Sequence, residues 1–114
     1  MYDVLIQNAK ILDGSGGAAY RGDIAVKEGR IAAVGKLDGA QAARAIDAAG
    51  RYAAPGFIDI HRHADSVVFS PEFGRAELSQ GLTSIVNGCC GLSAAPCFGA
   101  HKNALTSYLS PVIG

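Results

Sequence analysis

Over the first fifty residues, apolar side chains recur with a period close to two. Val4 and Ile6, then Ala9 and Ile11, alternate around Asn8, the pattern of a half-buried strand. Asp13-Gly14-Ser15-Gly16-Gly17 reads as a flexible turn. Ile24-Ala25-Val26 and Ile31-Ala32-Ala33-Val34 flank Glu28-Gly29, which predicts a tight hairpin. Ala43 to Asp47 predicts another short strand, and Ala49-Gly50-Arg51 another turn. This part of the chain therefore predicts small antiparallel β structure.

From Pro55 the pattern changes. Phe57-Ile58-Asp59-Ile60 is a short run suited to a strand buried on both faces. Glu72 to Gln80 predicts a helix, with Gly81 as its C-cap. Thr83-Ser84-Ile85-Val86 predicts a second buried strand, ending at Asn87-Gly88-Cys89-Cys90-Gly91. Strand, helix and strand joined this way imply a parallel pair in a right-handed βαβ unit. Asn103 to Leu109 begins a further helix. There is no internal repeat and no low-complexity stretch.

Composition narrows the class. With 49% hydrophobic and 18% charged residues, the chain is neither disordered nor a coiled coil. Ten basic and ten acidic residues cancel without forming blocks, so neither nucleic acid nor a membrane surface is an expected partner. The apolar runs are too short to span a bilayer as helices. Met1-Tyr2-Asp3-Val4 lacks the basic and apolar regions of a signal peptide, and a cytoplasmic location is expected. Cys89, Cys90 and Cys97 lie close together in an odd count, unlike a secreted disulfide framework.

The chemistry concentrates at the ends of the two predicted strands. Pro55-Gly56-Phe57-Ile58-Asp59-Ile60 runs straight into His61-Arg62-His63. On extended backbone, residues two apart share a face, so both imidazoles can address one point. Neutral imidazole is the commonest protein ligand for a borderline divalent metal. The competing reading is two solvated histidines at a strand terminus. Asp65 follows at the next same-side position, where a carboxylate could orient an imidazole. Arg62 is expected to face the other way, toward a carboxylate. In a βαβ unit, Gly88-Cys89-Cys90-Gly91 ends beside the histidines, and a thiolate from it could share their metal. The plainer reading makes both cysteines small buried hydrophobes. Cys97 reads as structural and His101 as a surface histidine. Gly14-Ser15-Gly16-Gly17 lacks the lysine and helix of a phosphate loop, and no Gly-x-Ser-x-Gly elbow is present.

Taken with their order, these motifs resemble the amino-terminal part of an amidohydrolase-superfamily enzyme, closest to the D-aminoacylase (N-acyl-D-amino-acid deacylase) group. The resemblance starts at Asp3-Val4-Leu5-Ile6, Gly22-Asp23-Ile24-Ala25-Val26 and Gly29-Arg30-Ile31-Ala32-Ala33-Val34-Gly35. Its specific part is Pro55-Gly56-Phe57-Ile58-Asp59 with His61-Arg62-His63. Ser79-Gln80-Gly81-Leu82-Thr83 and Cys90-Gly91-Leu92-Ser93-Ala94-Ala95-Pro96 point to the deacylase group.

The resemblance implies an α/β fold. Residues 1–54 would be the first part of a small β-sandwich, and residues 55–114 would begin a TIM-type barrel, incomplete in this chain. It implies metal binding by His61, His63 and Cys90, with zinc as the cofactor, one or two ions in the complete enzyme. The metal would polarise the amide carbonyl of a small N-acyl amino acid and activate water. Two departures stand out. Arg62 replaces the small residue usual there, and Cys89 stands where asparagine commonly precedes the metal cysteine. Gly91 favours Cys90 as the ligand, though Cys89 stays open.

The remaining metal histidines and the catalytic aspartate lie late in such enzymes and have no counterpart here. No catalytic residue is therefore expected in this chain. It is expected to be an inactive fragment that leans on the missing carboxyl-terminal part of the barrel or on a copy of itself. A stand-alone binding or assembly module is the rival expectation.

Overall fold

The computed structural model describes residues 1–93 and 95–113. The chain divides into two compact units, Met1–Pro55 and Gly56–Gly114.

In the first unit, β1 (Tyr2–Ile11), β2 (Tyr20–Lys27), β3 (Arg30–Gly35), β4 (Ala42–Asp47) and β5 (Tyr52–Ala53) form a five-stranded sheet. Its order is β3-β2-β1-β4, with β5 also pairing with β1. The β2–β3 hairpin turns at Glu28-Gly29, both with positive φ (52° and 72°). That is the twist a two-residue type I′ connection requires. The sheet is mixed, not antiparallel as the sequence pattern predicts: β4 and β5 both run parallel to β1. Hairpins are written in local turn residues, whereas the link from β3 carries the chain to β1's far side, which no turn signal encodes.

A bulge between Ile6 and Ala9 interrupts the pairing of β1 with β2, and Asn8 there takes φ 57°. Leu5, Ala9, Ile11 and Ala25 form the buried core, while Val4 and Ile6 are half-buried. The alternation expected from Val4 and Ile6 thus falls one residue away, on Leu5. Leu5, Ala9 and Ile11 hold the buried positions of β1, on either side of the bulge between Ile6 and Ala9.

In the second unit, β6 (Phe57–Asp59) and β7 (Leu82–Ile85) pair in parallel as a two-stranded sheet. Between them lies α1 (Arg75–Ser79), and α2 (Lys102–Ile113) follows later. Helix α1 starts three residues later than the sequence pattern predicts. Residues 71–74 are turns, and Gly74, at φ 97°, forms the helix boundary. Gly56 has to be glycine: a Cβ there would lie 2.1 Å from the Thr83 side chain.

Phe57, Ile58 and Ile60 are largely exposed, at 61%, 62% and 77%. The expectation of a strand buried on both faces therefore fails within this chain. Two strands and a five-residue helix offer no second layer to cover both faces. Among the described residues, no helix is long and apolar enough to cross a membrane; this concerns helices alone.

Candidate metal centre

Strand β6 ends at Asp59, and the chain bends at Ile60 and His61. Pairing nevertheless continues past both strands. Val86 N–H donates to the Asp59 carbonyl at 2.8 Å, and Arg62 N–H donates to the Val86 carbonyl at 3.0 Å. A further tie joins the two strand ends, where Ala64 N–H donates to Asn87 Oδ1 at 3.2 Å. These bonds fix the segments carrying the histidines and cysteines side by side.

At that end, ligand atoms of His61, His63 and Cys90 all lie within 4.8 Å of one another. Cys90 Sγ is 3.3 Å from His61 Nε2. The two imidazoles meet edge-on, with centroids 5.4 Å apart and planes at 70°. All three side chains are exposed. Tetrahedral zinc, with bonds of about 2.0–2.3 Å, needs donor atoms about 3.3–3.8 Å apart. The His61–Cys90 pair has that spacing. Two imidazoles and a thiolate are a donor set that suits zinc and leaves a fourth position open.

Backbone conformation delivers the thiol. Cys90 occupies the left-handed region at φ 58°, ψ 20°, between Gly88 (φ 78°) and Gly91 (φ 74°). A side chain there costs about 1–2 kcal/mol relative to ordinary backbone, a strain of the kind that gathers at functional sites. Neighbouring Cys89 is turned elsewhere, with Sγ 3.6 Å from the Val86 carbonyl and 3.9 Å from that of Ile60. Of the two thiols, Cys90 is the one grouped with the histidines.

Asp65 contacts the other loop. Its Oδ2 accepts from Gly88 N–H at the long distance of 3.5 Å, and among the described hydrogen bonds none joins it to His61 or His63. It therefore bears on the loop carrying Cys90, in place of the imidazole expected from its spacing. Arg62 reaches carboxylates, as expected of it: Asp59 at 3.4 Å and Glu77. Cys97 is a half-buried free thiol and His101 is exposed.

Two site residues escaped the sequence reading. Asn87 sits directly before the Gly-Cys-Cys-Gly stretch, where an amide can bridge two strand ends. Glu77 lies three residues after Gly74 and accepts its N–H at 3.1 Å, a helix-start spacing visible in the sequence.

A parallel strand pair with two histidines and a cysteine gathered at its carboxyl end is a candidate divalent-metal site. The amidohydrolase family profile matches residues 44–106, and the chain belongs to that family. It is 45% identical over 94 residues to an N-acyl-D-glutamate deacylase of Alcaligenes xylosoxydans xylosoxydans, a match covering 82% of this chain and 19% of the relative. It is also 45% identical over 85 residues to an adenine deaminase of Listeria monocytogenes, covering 74% of this chain and 14% of the relative.

Among solved structures, it is similar to the N-acyl-D-glutamate deacylase of Bordetella bronchiseptica in complex with zinc and a phosphonate inhibitor that mimics the tetrahedral intermediate. There the TM-score is 0.78 with 41% identity, over 91% of this chain and 23% of that one. The chain thus spans about a fifth of the length of these deacylases.

Proposed function

We propose that this chain is the amino-terminal, metal-binding part of a zinc-dependent amidohydrolase acting on N-acyl-D-amino acids. The observation that carries the reading is the convergence of His61, His63 and Cys90 within 4.8 Å. Likeness to deacylases over most of the chain supports the substrate class. In that reading, residues 1–54 belong to a β-sandwich and residues 55–114 open a TIM-type barrel.

His61 and His63 would hold the metal as neutral imidazoles, and Cys90 as a thiolate. A bound zinc supplies Lewis acidity toward an amide carbonyl and makes water a competent nucleophile near neutral pH. Asn87 and the Arg62 network hold those ligands in place, and Asp65 steadies the loop bearing Cys90. The general base and the substrate-selecting groups belong to the rest of such a protein, so this chain by itself should not turn over an amide. Three free cysteines fit a reducing, cytoplasmic setting.

The equal identity to an adenine deaminase favours a second reading, in which the same metal centre serves hydrolytic deamination of a purine. Both reactions cleave a carbon–nitrogen bond by water attack at an activated carbon, so the shared amino-terminal site does not choose between them.

Cobalt titration of the chain tests the metal site. One equivalent should give a thiolate-to-metal charge-transfer band that is lost in Cys90→Ser and weakened in His61→Ala and His63→Ala. Cobalt binding that survives in the Cys90→Ser/His61→Ala double variant would remove the assignment, and indifference to metal would favour a binding or assembly module. In a polypeptide extended to its relatives' length, release of D-glutamate from its N-acetyl derivative supports the deacylase reading. Release of ammonia from adenine supports the other.

A further inference from the structure

We propose that Arg62, held by Glu77 and Asp59, is a positioning residue that sets how tightly the His61–His63 pair takes a divalent metal. The inference rests on the metal-site reading above. Arg62 lies between the two histidines in the chain, yet its guanidinium leaves their cluster. One arm, Nη1, reaches Asp59 Oδ2 at 3.4 Å, and the other, Nη2, is paired with Glu77 Oε1. Each carboxylate is fixed a second time. Asp59 Oδ1 accepts His61 N–H at 3.1 Å, and Glu77 Oε2 accepts Gly74 N–H at 3.1 Å.

The resulting chain of contacts runs from the start of α1, through Glu77 and Arg62, to the backbone of His61 itself. Glu77 is a buried charged residue, only 9% exposed. Arg62 is half-buried, which protects the pair from full solvent screening.

Only a forked cation spans this geometry. A guanidinium presents two nitrogens to two carboxylates at once, where an ammonium offers a single point charge. Adjacency couples that grip to the site. Arg62 lies directly between His61 and His63 in the chain, and the His61 N–H is held by the same Asp59 that takes its guanidinium, so a backbone shift that freed Arg62 would move the flanking histidines. Groups that orient metal-binding side chains commonly change affinity about 10–100-fold when lost.

The test is cobalt affinity and spectrum at fixed pH for the wild type, Arg62→Met, Glu77→Gln, Arg62→Lys and the double variant Arg62→Met/Glu77→Leu. The single variants Arg62→Met and Glu77→Gln should each bind about 10–100-fold more weakly with altered d–d bands, and Arg62→Lys should recover part of the loss. The double variant guards against misfolding, since replacing both members of a buried ion pair with apolar residues is often tolerated. It should fold, by circular dichroism, and still bind weakly.

Wild-type affinity in that folded double variant would overturn the proposal and leave a merely structural ion pair. Unchanged affinity in both single variants would overturn it too. Failure of the wild type to bind cobalt would remove the metal-site reading and this role together.

Discussion

The two units use the same residue type for different ends. In Met1–Pro55, carboxylates tie down backbone at turns and bulges. Asp3 Oδ2 accepts Glu28 N–H at 2.6 Å, Asp23 accepts the N–H groups of Asn8 and Leu37, and Asp47 Oδ1 accepts that of Ala49. The sheet then closes over an apolar core of Leu5, Ala9, Ile11 and Ala25. From Gly56 onward, Asp59 and Glu77 also accept backbone N–H groups, of His61 and Gly74. Their other oxygens, however, hold an arginine beside a histidine pair, while Phe57, Ile58 and Ile60 stay exposed. One unit organises its polar groups around its fold. The other gathers them at one end of two strands, beside the candidate metal site.

The sharpest way to break this contrast is to empty the first unit's core. Leu5 is 2% exposed, and Leu5→Ala should cost about 3 kcal/mol through lost burial and the cavity left behind. Denaturant unfolding monitored by hydrogen exchange in β1 and β2 reads this directly. A loss below about 1 kcal/mol would mean that the sheet repacks freely and lacks a defined core.

The second unit has a matching weak point, but it is backbone spacing. A methyl at Gly56 would meet Thr83 at 2.1 Å, so Gly56→Ala should force β6 and β7 apart at a cost of about 1–3 kcal/mol. Thr83→Gly in the same chain should return part of that loss. If Gly56→Ala unfolds at the wild-type denaturant concentration, the close approach is not a constraint on the strand pair.

How far the sequence revealed this arrangement follows from the range of each interaction. Glu28-Gly29 marks its hairpin because a type I′ turn is decided by two adjacent residues. The histidine spacing is legible for the same reason, since residues two apart share a side on extended backbone. The parallel pairing of β1 with β4 is not legible: Ala42 carries no mark of choosing Tyr2 as its partner. Glu77 is hidden similarly, because its value lies in meeting an arginine fifteen positions earlier. Gly91 and the family resemblance favour Cys90 over Cys89 in the sequence, but the backbone conformation that separates the two thiols, the left-handed turn at Cys90, is not marked by two adjacent cysteines.

That turn offers a prediction that sets stability against chemistry. Glycine adopts φ 58° without penalty, so Cys90→Gly should stabilise the metal-free second unit by about 1 kcal/mol while abolishing cobalt binding. Cys90→Ala should lose the metal and gain nothing, because its Cβ keeps the strain. Thermal unfolding of the two variants without metal separates the effects. Equal melting temperatures would show that the thiol's backbone is unstrained.

The smallest effect belongs to the first unit's turns and concerns pH. The Asn8 side chain donates to Asp47 Oδ1 at 3.0 Å, the strongest of the influences holding that carboxyl below the ordinary aspartate value. The Ala49 N–H and the charge of Arg51 act in the same direction. Because the folded state binds this proton less readily than the unfolded chain, the contribution to stability is present above the unfolded carboxyl's titration. It is lost as pH falls through the folded one. Asn8→Gly removes the amide yet keeps the positive φ that the bulge requires. It should move the Asp47 carboxyl resonance toward ordinary titration and trim the acid side of the stability profile slightly, since the group is exposed. Asp13, lowered chiefly by Ser15, supplies the internal reference and should not move. An Asp47 titration unaltered by Asn8→Gly would transfer the effect to the turn's backbone, and the side-chain bridge across the bulge would have no electrostatic role.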